Sequence, residues 1–158
     1  MNRQSTVMPL FLKDLAATRR LGAKLAKRLP PSSVLLIHGK LGAGKTSLVQ
    51  GIAIGLEIPE PITSPTFALA QHYLDGKYPL IHIDLYRLKN TNDANFLFLQ
   101  EEEEAQSIGG LLVVEWPERL SIPLPEAWRV NLQYRNEGDR LAQLFKPLEE
   151  SNNSLTSN

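Results

Sequence analysis

The chain contains the stretch Gly39-Lys40-Leu41-Gly42-Ala43-Gly44-Lys45-Thr46, which satisfies the phosphate-binding loop pattern G-x-x-x-x-G-K-[ST] at every fixed position. The residues before it, Val34 to His38, are apolar and β-branched enough to predict a buried strand. The residues after it, Thr46 to Ala53, place their apolar side chains on one face of a helix. A strand, a glycine-rich loop and a helix in this order predict a P-loop that binds a nucleotide.

Each residue type in this stretch has a physical role in binding phosphate. The glycines permit backbone conformations and close approaches that a Cβ would obstruct, so successive N–H groups can line an anion site. The helix that begins near Gly44 adds unpaired N–H groups and about half a positive charge at its first turn. Lys45 can reach the β- and γ-phosphates, and the Thr46 hydroxyl can ligate Mg²⁺. A glycine-rich turn that binds nothing is the alternative, and it does not account for the complete pattern.

Length and charge describe one globular domain. The chain has 158 residues, 42% of them hydrophobic and 22% charged, which is enough for one substantial core. We expect a single domain over residues 1–148 and a disordered, Ser/Asn-rich tail over residues 149–158. Seventeen basic and seventeen acidic residues cancel, so net charge gives no case for direct binding of DNA or RNA.

Composition also limits the chemistry and the compartment. The chain has no cysteine, which excludes disulfides, thiolate zinc sites and a cysteine nucleophile. Its first residues lead into no long apolar region, so no signal peptide is expected, and no stretch reaches the length of a membrane span. We therefore expect a cytoplasmic protein without a membrane partner.

Periodicity and turn residues predict the remaining elements. Asp14 is a suitable cap for a helix that Pro30-Pro31 ends, and Asp75-Gly76 is a hairpin signal. The segment Asn90 to Gly110 is predicted to be a helix on which the run Glu101 to Glu104 is solvated; one glutamate facing a partner is the alternative. The predicted strands are Val7–Leu12 at a sheet edge, Ala68–Tyr73, Tyr78–Asp84, Leu111–Glu115, Trp128–Tyr134 and Arg140–Lys146.

Two acids are candidates to complete the nucleotide site. Asp84 and Glu115 each end an apolar strand, which in an open α/β sheet places them at the carboxyl edge beside the P-loop. A P-loop needs such an acid near Mg²⁺ or the attacking water, and spacing alone does not decide which acid ligates the metal. A helix or turn cap is the alternative for either. His72 and His82 lack the cluster expected of a metal site.

The segment Thr63 to Thr66 lies between the P-loop helix and the first of these acids. A loop in this position can carry a threonine toward the γ-phosphate and act as a nucleotide-state switch. A simple Ser-Pro turn accounts for the same residues equally well. Both interpretations stay open from the residues alone.

Four motifs together resemble the TsaE (YjeE) family, the ATPase component of bacterial tRNA threonylcarbamoyladenosine synthesis. They are the P-loop, Ser64-Pro65-Thr66-Phe67, His82-Ile83-Asp84-Leu85-Tyr86-Arg87-Leu88 and Glu115-Trp116-Pro117-Glu118-Arg119-Leu120. The resemblance runs from about Asp14 to Phe145. It implies an α/β, P-loop NTPase-like domain of three layers with a central, largely parallel but mixed sheet.

The resemblance also implies residue roles, a cofactor pair and partners. ATP would be held by Leu41, Gly42, Ala43, Gly44, Lys45, Thr46 and Glu118. Thr46 and Glu115 would hold Mg²⁺, and Lys45, Asp84 and Thr66 would act in catalysis. The family works with the TsaD and TsaB proteins, so hydrolysis would reset that complex between rounds of tRNA modification, with tRNA engaged indirectly.

Two departures from the family pattern are visible. Lys40 replaces a residue that is usually acidic or Asn, and the segment Asn90 to Gly110 carries four glutamates in place of a Gly/Leu-rich pattern. Because no arginine finger is identifiable in the sequence, hydrolysis by the chain alone is expected to be slow. A small P-loop kinase acting on a metabolite and a nucleotide-dependent switch without turnover are the alternative functions.

Overall fold

The computed structural model describes residues 9–63, 69–135 and 138–148 of the chain. The strands in this part are β1 (Leu10–Leu12), β2 (Val34–His38), β3 (Ala70–Tyr73), β4 (Leu80–Asp84), β5 (Leu111–Glu115), β6 (Trp128–Tyr134) and β7 (Arg140–Phe145). The helices are α1 (Leu15–Arg28), α2 (Lys45–Gly55) and α3 (Thr91–Ile108), and a single 3₁₀ turn covers Pro117–Arg119.

The described strands form one seven-stranded sheet in the order β1-β7-β6-β2-β5-β4-β3. The four central strands β6, β2, β5 and β4 run parallel, whereas β1, β7 and β3 join antiparallel at the two sides. The largely parallel, mixed sheet is therefore confirmed. β1 lies at an edge, where Pro9 beside it removes no ladder hydrogen bond from a central strand.

The side chains of the central strands alternate between the two faces of the sheet, and this divides the core into two layers. Leu35 and Val113 face a layer that also contains Leu48 of α2 and Leu25 of α1. Their neighbours in sequence point the other way, toward a second layer around Phe98 of α3. Because side chains of a strand alternate between faces, two apolar strands buried on both sides require helices on both sides. The predicted three-layer architecture follows directly.

Local signals act at the positions that the sequence indicates. The Asp14 side chain accepts a hydrogen bond of 2.8 Å from the Ala17 backbone N–H and caps α1. Asn90 caps α3, and Gly109 ends it in the left-handed conformation at φ 66°. Strands β3 and β4 pair as the predicted antiparallel hairpin. In the described residues no helix is long and apolar enough to cross a membrane.

One prediction about α3 is wrong in part. Glu101 is not solvated: it is 8% exposed, and its Oε2 lies 2.7 Å from Nε2 of His72 on β3. Position 101 falls on the same helical face as the buried residues Ala94, Phe98 and Ala105, so this glutamate is carried into the interior and takes a partner there. Glu103 and Glu104 are exposed, as predicted.

Candidate nucleotide site

The P-loop connects the carboxyl end of β2 to the first turn of α2. Gly42 and Gly44 have φ angles of 80° and 98°, a region that residues with a Cβ rarely adopt. A Cβ at Gly42 would meet no atom within 4 Å, so the backbone angle rather than crowding favours glycine there. These angles turn the chain so that α2 begins at Lys45 with its free N–H groups at the loop.

Lys45 is held inside the site. The residue is only 6% exposed, and its Nζ donates a hydrogen bond to the Gly39 carbonyl oxygen. The same Nζ lies 3.7 Å from the centroid of the Trp116 ring, which offers the negative face of its π system. Burial lowers the pKa of Lys45, and the nearby carboxylates of Glu115 and other acids raise it in opposition. A buried ammonium in this setting is a ready partner for phosphate oxygens.

The two candidate acids lie side by side at the carboxyl edge of the sheet. Asp84 ends β4, Glu115 ends β5, and the two are register partners, while Glu115 also pairs with Ile37 of β2. Parallel pairing therefore places Glu115 beside the strand that leads into the P-loop, and Asp84 one strand further away at the same edge of the sheet. The tryptophan that follows Glu115 has a left-handed backbone at φ 59°.

The acids differ in environment. Glu115 is 3% exposed and receives a hydrogen bond from His82, whereas Asp84 is half-buried and accepts one of 3.0 Å from the Tyr86 backbone N–H. Burial raises the pKa of Asp84, and that backbone hydrogen bond lowers it in part. A carboxylate with a raised pKa is a better proton acceptor than an ordinary exposed aspartate.

A cavity of about 400 Å³ brings most of the predicted residues together. Its lining includes Leu41, Gly42, Ala43, Gly44, Lys45, Thr46, Asp84 and Glu115. Glu118 is not among the described lining residues: its Oε1 lies 3.1 Å from Nδ1 of His38, whose Nε2 is 3.2 Å from Arg129. Thr66 and the rest of Ser64-Pro65-Thr66-Phe67 lie outside the described residues. Their assigned roles stay predictions.

Two arginines of the cavity wall were not anticipated. Arg87 lines it from the segment after β4, and Arg140 from the first residue of β7. An Nη2 of Arg140 lies 3.4 Å from the Gly42 carbonyl oxygen, so this side chain braces the P-loop. Arg87 belongs to the sequence motif His82 to Leu88, but Arg140 has no local signal in the sequence. It reaches the loop because β7 pairs with β6, two strands away from the center of the site.

The oxygen donors at this edge suit Mg²⁺. The Thr46 hydroxyl and the Glu115 carboxylate are hard oxygen ligands, and Asp84 adds a second carboxylate beside them. In the part of the chain that the structure describes, no group of three His, Cys, Asp or Glu residues could hold a metal by itself. In proteins Mg²⁺ is usually bound through one or two carboxylates together with substrate phosphates and water.

The sheet order and the loop at its carboxyl edge define a P-loop NTPase-like α/β protein. The model of the TsaE family, described as threonylcarbamoyl adenosine biosynthesis protein TsaE, matches residues 12–142. The chain belongs to the TsaE family.

Individual relatives agree with this assignment. The chain is 48% identical to a tRNA threonylcarbamoyladenosine biosynthesis protein TsaE of Synechocystis over 76% of this chain and 75% of the relative. It is 42% identical to the protein of that name from Nostoc, over 85% and 83% of the two chains. The crystal structure of YdiB from Bacillus subtilis superposes with a TM-score of 0.70 at 25% identity, covering 93% of this chain and 89% of that one.

Proposed function

We propose that this chain is the Mg²⁺-dependent, ATP-binding and ATP-hydrolysing subunit that supports formation of N6-threonylcarbamoyladenosine in tRNA. Membership of the TsaE family supports the pathway. The observation that carries the activity is the single cavity in which the P-loop, Lys45 and two strand-end acids meet. With Thr46 and Glu115 assigned to Mg²⁺, Asp84 is the carboxylate of this cavity that is available to position an attacking water.

The proposal gives the predicted site residues separate tasks. Backbone N–H groups from Leu41 to Thr46 hold the phosphates, and Lys45 leaves the Gly39 carbonyl to contact the β/γ-phosphate oxygens. Thr46 and Glu115 hold Mg²⁺, which when bound neutralises charge that develops on the phosphate oxygens. Asp84 orients the attacking water. Thr66 and Glu118 keep the switch and nucleotide roles that the resemblance to the family implies.

The proposed partners are TsaD and TsaB, and the compartment is the cytoplasm. Hydrolysis resets their complex between rounds, and tRNA is engaged through the complex rather than by this chain of zero formal net charge. We expect slow turnover by the chain alone, although two arginines line the cavity. Arg140 is committed to carbonyl oxygens of Gly42 and Gly138, so it is not placed as a free finger toward the phosphates.

Substitution of the P-loop lysine tests the site. Lys45→Ala removes the buried ammonium and should reduce ATP hydrolysis by at least about 100-fold, because the β/γ-phosphate charge loses its main cation. Lys40→Ala is the matched control, since Lys40 lies in the same loop and is exposed. It should leave hydrolysis within about twofold, given the small effect of exposed charges. Equal rates for wild type and Lys45→Ala in steady-state assays would overturn the site assignment.

A further inference from the structure

A buried histidine contacts one of the two acids at the site. His82 of β4 is 0% exposed, and its Nε2 lies 2.6 Å from Oε2 of Glu115. The two residues come from neighbouring parallel strands, in which His82 is the register partner of Val113. Glu115 lies two residues after Val113 and therefore on the same face of the sheet. That face is the one covered by α1 and α2.

The hydrogen-bonding pattern of this pair is specific. Because the carboxylate is an acceptor, Nε2 of His82 carries the proton and donates it to Oε2. Nδ1 is buried and has no hydrogen-bond partner among the described residues. A bare lone pair at Nδ1 costs less there than an unpaired N–H would. The geometry thus assigns a proton to Nε2 of His82, and its hydrogen bond occupies one oxygen of Glu115.

A purely structural role accounts poorly for this arrangement. The neighbours of His82 in β4 are Ile81 and Ile83, which are fully buried like Leu80. An apolar residue at position 82 would pack without a desolvation cost, whereas a buried His–Glu pair incurs one. The pair is also located where the strand reaches the cavity, with Glu115 in its wall.

We propose that His82 is a positioning residue for Glu115. Its Nε2–H fixes Oε2, which sets the orientation of the carboxylate and leaves Oε1 as the oxygen available to a divalent cation. Hydrogen-bonded partners of metal-binding carboxylates commonly have this function. The inference rests on the proposed function, because it assumes that Glu115 acts on a nucleotide-bound Mg²⁺.

Two substitutions separate the hydrogen bond from simple packing. In Gln the side-chain amide nitrogen lies as many bonds from Cβ as Nε2 of His, whereas in Asn it corresponds to Nδ1. His82→Gln should therefore preserve the contact with Glu115, and His82→Asn should lose it. His72→Asn is the matched control, because His72 contacts a glutamate as well, on helix α3 and not at the cavity.

The measurement is calorimetric titration of the full chain with ADP over a range of Mg²⁺ concentrations, with thermal unfolding of each variant. His82→Asn should raise the Mg²⁺ concentration needed for half-maximal enhancement by about tenfold, with Mg²⁺-free affinity within about twofold. His82→Gln and His72→Asn should stay near wild type, and Glu115→Ala should abolish the enhancement. Equal effects of the Asn and Gln variants, or equal losses with and without Mg²⁺, would show that His82 is structural.

A second observation does not depend on the variants being folded. The chain has three histidines, so nitrogen–proton correlation spectra of the wild type can assign each ring. His82 should show the Nε2–H tautomer, and Mg²⁺-ADP should shift its resonances more than Mg²⁺-free ADP does. The Nδ1–H tautomer would overturn this inference without affecting the proposed function. If the ADP affinity of the wild-type chain does not change with Mg²⁺ concentration, the proposed function is overturned instead.

Discussion

Lys45 is buried among side chains of opposite charge. Burial lowers the pKa of Lys45, and Glu115, Glu118 and Asp84 act in the opposite direction. The Trp116 ring covers the ammonium from one side. In our proposal, phosphate oxygens compete with the Gly39 carbonyl oxygen for the N–H donors of Lys45.

Asp84 illustrates how such a site trades stability for activity. Burial raises the pKa of Asp84, so the folded chain holds its proton more tightly than the unfolded chain does. Stability therefore falls as pH rises from the ordinary aspartate pKa through the raised folded pKa, and the full cost applies above it. At pH 7 the ionised carboxylate opposes folding.

Asp84→Asn should consequently stabilise the unligated protein while impairing catalysis. The amide removes the buried charge and keeps an oxygen for the Tyr86 N–H, so Tm at pH 7 should rise by about 2 °C. ATP hydrolysis should fall by about 100-fold with loss of the group that orients water. Glu103→Gln, which removes an exposed carboxylate on α3, should change neither quantity. A lower Tm for Asp84→Asn in calorimetry would contradict the argument.

The candidate site residues that the sequence predicts are those that have local signals. The P-loop and the two strand-end acids are readable because pattern and strand position define them within a few residues. The contacts of Glu115 with His82 and of Gly42 with Arg140 are not readable, since the partners are 33 and 98 positions apart. The burial of Glu101 was missed because a run of four glutamates conceals which one faces inward.

At the scale of elements, α2 is fixed by an unusually close approach to α1. A Cβ at Gly51 would lie 2.0 Å from the Arg19 carbonyl oxygen, and one at Gly22 would lie 2.3 Å from the Leu48 carbonyl oxygen. Both carbonyl oxygens belong to the backbone, which cannot rotate away from an added Cβ as a flexible side chain could. The two glycines therefore set the separation of the helices and, through α2, the position of the P-loop.

Gly51→Ala should destabilise the protein despite favouring the helix. Alanine improves helix propensity by about 1 kcal/mol, but overpacking costs typically about 1–3 kcal/mol, and more where backbone must move. We expect Tm to fall by about 4 °C in thermal unfolding. Gln100→Ala, exposed on α3, should leave Tm within about 2 °C. A rise in Tm for Gly51→Ala would show that propensity outweighs the close packing.

Element bounds were predictable more fully than element order. The strands Val34–His38, Leu111–Glu115 and Trp128–Tyr134 occur at the predicted residues, because apolar runs between turn signals define them locally. The sheet order depends on pairing between distant segments, such as β2 between β5 and β6. The hydrophobic periodicity of the sequence does not indicate which strands pair. The resemblance to the TsaE family implied the architecture instead.

For the whole molecule, the cavity opens at one edge of a sheet whose faces are covered by helices. The described cavity wall contains the residues that we propose contact phosphate, metal and water, and Arg140 is engaged with the P-loop. Our account therefore assigns full turnover to the assembly with TsaD and TsaB. A metabolite kinase would instead need a small-molecule phosphate acceptor to sustain turnover. A nucleotide-dependent switch would act without turnover.

The most direct test is steady-state ATP hydrolysis by the chain alone and with purified TsaD and TsaB, with modified tRNA measured in the same reactions. Our account predicts slow hydrolysis alone, stimulation by both partners together, and several rounds of tRNA modification that Lys45→Ala reduces to about one. A rate of hydrolysis that is unchanged by TsaD and TsaB and rises only with a small-molecule acceptor would contradict the account. That result would favour a metabolite kinase.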